Sequence, residues 1–185
     1  MVVLLINICK EKLHYLEFVK PIEDILKKEK IGFFVRKYKE VSKEDLNKAD
    51  KVIICGTSLG DNDFSLSENA RFFSWISDFD KPILGICGGM QVIARVFGAR
   101  IKKEQEIGFF KEKVHKKFLG LEGFNEVYHL HNYYPDLYFS DELEAYAVSD
   151  KNIVQAFKHK TREIYGVLFH PEVRQKLMIE NFAKL

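Results

Sequence analysis

Apolar and polar positions along this chain fall into two regimes. Through the first half, short continuous apolar runs at residues 2–8, 31–36, 51–55 and 83–86 are separated by segments whose apolar residues recur at helical spacing. Runs without polar alternation are the pattern of strands covered on both faces. After the first run, a polar loop reaches His14, and Pro21 then sits in the first turn of a helix carrying Ile22, Ile25 and Leu26. Ser42-Lys43-Glu44-Asp45 reads as a capping signal for a short helix that ends near Lys48. Residues 69–79 read as an aromatic-rich helix, and 90–97 as a helix stopped by Gly98. Four rounds of strand and helix predict a parallel sheet with right-handed crossovers.

Beyond Gly98 the runs become short and β-like, at 106–115, 126–130, 144–148, 153–157 and 163–169, and read as hairpins and mixed strands returning to the sheet. A final helix is expected over 173–183, with Glu172 at its start. The fold class expected is therefore α/β: a mostly parallel central sheet, helices on both faces and a C-terminal mixed β portion. A length of 185 residues fits a single domain, residues 1–185.

Composition narrows the function classes. The 29 basic and 27 acidic side chains nearly cancel, and no lysine or arginine cluster is interleaved with aromatics, so no nucleic-acid partner is expected. Residues 1–8 are apolar but lack the length and flanks of a leader or a membrane span, so no membrane association is expected. Three cysteines, Cys9, Cys55 and Cys87, are an odd number without paired or metal-like spacing, which points to the reducing cytoplasm. No pair of histidines or carboxylates has a metal-ligand spacing, so no metal is expected.

The chemistry centres on Gly85-Ile86-Cys87-Gly88-Gly89, which ends one predicted strand and opens the next helix. A glycine-flanked nucleophile on such a sharp turn is held out above the sheet edge, as in the Gly-x-Ser-x-Gly elbow. The helix N-terminus favours a thiolate there, and the N–H groups of the turn can face a developing oxyanion. The competing reading is that Cys87 is a small buried hydrophobe; three adjacent glycines weigh against it. A thiol nucleophile needs a base and the base an orienting acceptor. His170 ends the run Tyr165-Gly166-Val167-Leu168-Phe169, Pro171 stops it, and Glu172 lies within reach of the imidazole, giving the candidate set Cys87, His170 and Glu172.

Together, Gly85-Ile86-Cys87-Gly88-Gly89-Met90-Gln91 and Phe169-His170-Pro171-Glu172-Val173 resemble the class I (triad) glutamine amidotransferases, which have a flavodoxin-like fold. The stretch from Ile164 to Val173 is especially similar to the glutaminase subunit of two-subunit archaeal GMP synthetases. The resemblance implies that Cys87 attacks the side-chain amide of L-glutamine, His170 moves the proton to ammonia, and Glu172 holds His170. It further implies that Gln91 contacts the bound glutamine, that Gly88 gives one oxyanion N–H, and that the loop at Gly56 and Thr57 gives the other. The resemblance would also put His131, in His129-Leu130-His131-Asn132-Tyr133-Tyr134, near the mouth of the site or the synthetase interface; the competing reading is a histidine on an aromatic hairpin.

The loop Cys55-Gly56-Thr57-Ser58 departs from the Ser-Gly-Gly-Pro of the GMP synthetase branch, and Gly88-Gly89 looks more like the cobyric acid synthase branch. The chain carries no nucleotide-binding signature and calls for no cofactor, so amination would fall to a separate synthetase subunit that receives the ammonia. Two other readings stand beside this one: a γ-glutamyl hydrolase working without a partner, and a non-catalytic regulatory binding protein of the same fold. Cys9 and Cys55 read as packing residues, and His14, His115 and His159 as surface or loop residues.

Overall fold

A computed structural model describes all 185 residues, Met1–Leu185. Its centre is one nine-stranded sheet: β1 (Val2–Asn7), β2 (Gly32–Lys37), β3 (Lys51–Ile54), β4 (Ile83–Ile86), β5 (Arg100–Phe118), β6 (Leu121–Asp136), β7 (Leu143–Val148), β8 (Val154–His159) and β9 (Ile164–Val167), in the order β2-β1-β3-β4-β9-β8-β7-β5-β6. The first five in that order are parallel and the rest antiparallel. The parallel part therefore has one strand more than the four early apolar runs predict, because β9 returns from the C-terminal region to extend it, while the antiparallel β8, β7, β5 and β6 make up the rest of the sheet. The α/β class stands.

Burial on both faces explains the unbroken apolar runs. In β1, Val3 and Leu5 face one core while Leu4 and Ile6 face the other; in β3, Ile53 opposes Val52 and Ile54 in the same way. The first core is completed by α2 (Lys20–Lys28) through Ile22 and Leu26, and by α5 (Lys176–Lys184) through Met178, Ile179 and Phe182. The second is covered by α4 (Gly88–Val96), through Met90, Ile93 and Ala94, and by the segment Ser67–Ser77. Each such side chain taken out of water contributes roughly 1.5–3 kcal/mol.

Helix details follow local chemistry. In α3 (Lys43–Lys48) the Ser42 hydroxyl accepts from the Asp45 N–H while the Asp45 carboxylate accepts from the Ser42 N–H, the reciprocal cap that the sequence signals. The polar loop expected before His14 is instead a short helix, α1 (Lys12–Phe18), which buries Phe18. Ser67–Ser77 winds as a 3-10 helix rather than an α-helix, and residues 171–174 form a turn, so Glu172 precedes the last helix instead of starting it. No helix is long and apolar enough to cross a membrane.

The largest departure is the β5–β6 hairpin. Charged residues at alternate positions hid its length, and the turn between paired Phe118 and Leu121 consists of Leu119 and Gly120, both at positive φ (48° and 91°). A two-residue turn with both φ positive suits the twist of a hairpin, but leucine is a poor sequence marker of it. β6 then runs back across the carboxyl ends of the parallel strands, where the backbone N–H of His170 donates to the Tyr128 carbonyl at 2.8 Å.

Candidate active site

At the end of β4 the chain turns through Cys87 with φ 49° and ψ −105°, a conformation that side-chain-bearing residues rarely adopt. Close packing enforces it. A Cβ on Gly89 would lie 2.2 Å from the Ile54 carbonyl oxygen, so only glycine lets α4 sit this near β3. The Cys87 N–H donates to the Val167 carbonyl at 2.7 Å, tying the turn to β9. Gly88 and Gly89 begin α4, where first-turn N–H groups have no intrahelical acceptor.

His170 follows β9 by three residues and is 1% exposed. Its Nδ1 is 2.7 Å from Glu172 Oε1, and its ring packs on Phe18 at 5.2 Å between centroids. The floor beneath the ring is Gly56, where a Cβ would stand 2.6 Å from His170 Cε1 and 3.0 Å from Nδ1. His170 Nε2 is buried without a formed hydrogen bond. Burial pushes the imidazole towards neutrality, but the Glu172 carboxylate and the Cys87 sulfur outweigh it and hold His170 well above its ordinary pKa.

The other two thiols are those of Cys9 and Cys55, both buried. Cys9, buried and donating weakly to the Gly56 carbonyl, is pushed up to about 11, and fully buried Cys55 is raised well above the ordinary thiol range, in both cases chiefly by loss of water. Both stay protonated and inert at neutral pH.

Beside Cys87 lies a pocket of about 270 Å³ lined by Thr57, Asp61, Gly88, Gln91 and His131 among others. Its roof is the β6 segment from Leu130 to Tyr133. The Cys87 sulfur is 3.6 Å from the Leu130 carbonyl, and Gln91 Nε2 donates to the Tyr133 carbonyl at 3.0 Å. Of the residues expected here, Cys87, Thr57, Gly88, Gln91 and His131 line this pocket. Gly56 does not line it and instead supports the His170 ring.

Sequence reasoning missed three features. Asp61 Oδ2 accepts from Thr57 Oγ1 (2.7 Å), the Lys10 N–H (3.0 Å) and His14 Nδ1 (2.7 Å), which lock the 57–61 loop. Burial would raise this carboxyl, yet those donors keep it below the usual range. His14 therefore belongs to a helix and to this network rather than to a surface loop. His159, unlike the half-buried His14, is fully inside, at the end of β8 against Phe97, while His115 is exposed on β5. Third, where sequence spacing gave no metal-ligand set, the hairpin brings Glu106, His129 and His131 together. His129 and His131 alternate along one strand, which was the available signal, but their carboxylate partner is set only by hairpin register.

Residues 14–184 match the family model for class-I glutamine amidotransferases. The chain is similar to one subunit of the glutamine-hydrolysing GMP synthase of Methanobrevibacter smithii, 34% identical over 122 residues that cover 60% of this chain and 63% of that one, so the match spans a little under two thirds of that relative's length. Against the corresponding GMP synthase subunit of Thermoplasma acidophilum it is 35% identical over 139 residues, covering 72% and 68%. A crystal structure of a T. acidophilum protein provisionally assigned as that kind of GMP synthase subunit superposes with a TM-score of 0.84 at 25% identity, covering all of this chain and 92% of that one. A Thermotoga maritima glutamine amidotransferase gives a TM-score of 0.72 at 22% identity, a likeness of fold.

Proposed function

Because the chain belongs to the class-I glutamine amidotransferases, we propose that it hydrolyses L-glutamine to glutamate and ammonia, and that a separate synthetase subunit takes up the ammonia. The observation that carries this reading is the convergence of Cys87, His170 and Glu172 at the carboxyl edge of β4 and β9, with a pocket opening on the thiol. We read the 185 residues as one domain working in the cytoplasm, where free thiols persist.

In this mechanism the Cys87 thiolate attacks the carboxamide carbon of glutamine. The oxyanion that develops faces the first-turn N–H of Gly88, with the 57–58 loop opposite; losing one such donor typically costs about 10²–10³ in rate. The His170 imidazolium, oriented by Glu172, gives its proton to the departing ammonia as the C–N bond breaks, leaving a thioester. Water then attacks the thioester, His170 takes its proton, and glutamate leaves as the thiolate returns. Gln91 and His131 contact the substrate from α4 and β6.

The β6 segment from Leu130 to Tyr133 roofs the pocket over Cys87, which favours a free amino acid over a γ-glutamyl conjugate. The raised proton affinity of His170 beside a thiol argues for a working nucleophile rather than a retired one. The partner reading draws on the GMP synthase subunits among its relatives and on α1, which flanks the Asp61 end of the pocket and leaves Leu13 and Leu16 exposed. The test is glutamate release from glutamine by the purified chain, alone and with the synthetase subunit of a GMP synthase. Partner-stimulated release that Cys87→Ser abolishes is expected. Release that survives in Cys87→Ser overturns the mechanism, and hydrolysis confined to γ-glutamyl conjugates overturns the substrate.

A further inference from the structure

Behind the pocket roof, the inner face of the β5–β6 hairpin holds a polar cluster that shares only His131 with the site of the proposed glutamine hydrolysis. His129 and His131 alternate on β6 and so share a face, and Glu106 lies directly across the ladder from His131. Gly108, opposite His129, leaves the space between them free of a side chain. All three cluster residues are at most 3% exposed.

Neither ring nitrogen of fully buried His129 has a hydrogen-bond partner, and Nδ1 of His131 has none. Buried polar atoms are almost always satisfied, so a cluster with three orphaned nitrogens calls for a missing partner. Glu106 accepts from Gln155 and sits against His131, but both it and Glu112 have only imidazoles as ionic neighbours, with no lysine or arginine against them.

We propose that Glu106, His129 and His131 form a binding site for one divalent transition-metal ion of the zinc type. Glu106 Oε2 is 3.0 Å from His131 Nε2 and 3.9 Å from His129 Nδ1. These distances bracket the roughly 3.3 Å edge of a tetrahedron with bonds of about 2.0–2.1 Å. Two imidazoles and one carboxylate, with water in the fourth position, is a donor set that selects such ions over calcium or magnesium.

The surroundings fit as well. Gln155 Nε2 donates to Glu106 Oε2 at 2.8 Å and orients the carboxylate. Glu112 Oε1 stands 3.5 Å from His129 Nε2, placed to accept that N–H once Nδ1 is the ligand, which is the usual outer partner of a ligating histidine. Entry is provided by a cleft of about 660 Å³ on which Glu106 and Glu112 open, between β5 and the Ser149-Asp150 turn. Since His131 also lines the Cys87 pocket, the bound ion would brace its roof.

The test is metal binding by the whole chain after chelator treatment, with Zn²⁺ for stoichiometry and Co²⁺ for its tetrahedral visible spectrum. One equivalent is expected, retained in Cys87→Ser and weakened at least 100-fold in His129→Gln. Glu112→Gln, which removes no ligand, should weaken binding about 10–100-fold and so decides the matter should His129→Gln fail to fold. No stoichiometric binding by the unsubstituted chain, binding unchanged in Glu112→Gln, or binding lost in Cys87→Ser would overturn the site.

Discussion

Gly56→Ala isolates the contact that positions His170. The new Cβ would stand 2.6 Å from Cε1 of the ring, whereas carbons in contact settle at about 3.5 Å, so the imidazole must retreat by roughly 0.9 Å. Gly56 does not have a positive φ, so alanine fits the backbone there and the effect passes through the ring alone. The retreat breaks the alignment of the 2.7 Å bond to Glu172 and of the ring with the thiol. A misplacement near 1 Å typically costs about 10²-fold, or about 2.7 kcal/mol of barrier.

Because Gly56 does not line the pocket beside Cys87, the loss should fall on kcat with KM nearly unchanged. Alkylation of Cys87 by iodoacetamide, followed by mass spectrometry, reads the same defect without a synthetase partner. Gly60→Ala in the same loop is the control, since a Cβ there meets nothing within 4 Å. A Gly56→Ala protein within twofold of the parent in both kcat and alkylation rate would refute the claim that this floor sets the ring.

Three other perturbations follow from the same geometry. His170 is raised above its unfolded value, so the stabilisation it brings is complete below about pH 6.5 and is lost as pH climbs through the raised value. Glu172→Gln removes the carboxylate that does most to raise His170 and should slow alkylation of Cys87 at least tenfold at about pH 7; equal rates would disprove the claim that Glu172 acts on the thiol through His170. Gly89→Ala drives a methyl group into the Ile54 carbonyl and should cost about 1–3 kcal/mol, several degrees of melting temperature, with an unchanged melt counting against the close packing of α4 on β3. Asp61→Asn replaces a buried charged acceptor of three hydrogen bonds and should raise KM for glutamine several-fold as the 57–61 loop loosens, an effect absent if that loop does not shape the pocket.

The parts of the site that were legible in the sequence are those whose signal is local. Gly85-Ile86-Cys87-Gly88-Gly89 and Phe169-His170-Pro171-Glu172 each combine a strand end with its chemistry in a few residues, and parallel strands bring their carboxyl ends to one edge. The illegible parts depend on distant register. Glu106 meets His131 only because a hairpin turn at Leu119-Gly120 sets the pairing, and nothing near Glu106 announces it. The family resemblance put Gly56 in the loop that gives an oxyanion N–H; that its missing side chain also makes room for His170 is a fact of packing. The 3-10 winding of Ser67–Ser77 was hidden because its aromatics satisfy α-helical spacing nearly as well.

Cys87 occupies backbone torsions that suit glycine, at a cost of order 1–3 kcal/mol. The molecule is thus least comfortable at the atom that would do its chemistry, and relaxing that discomfort works against activity. Cys87→Gly should melt at a higher temperature than the parent while hydrolysing nothing. A lineage released from the need for ammonia would be free to drift in that direction, and a relative with glycine at this position would be expected to have kept its architecture and given up its reaction.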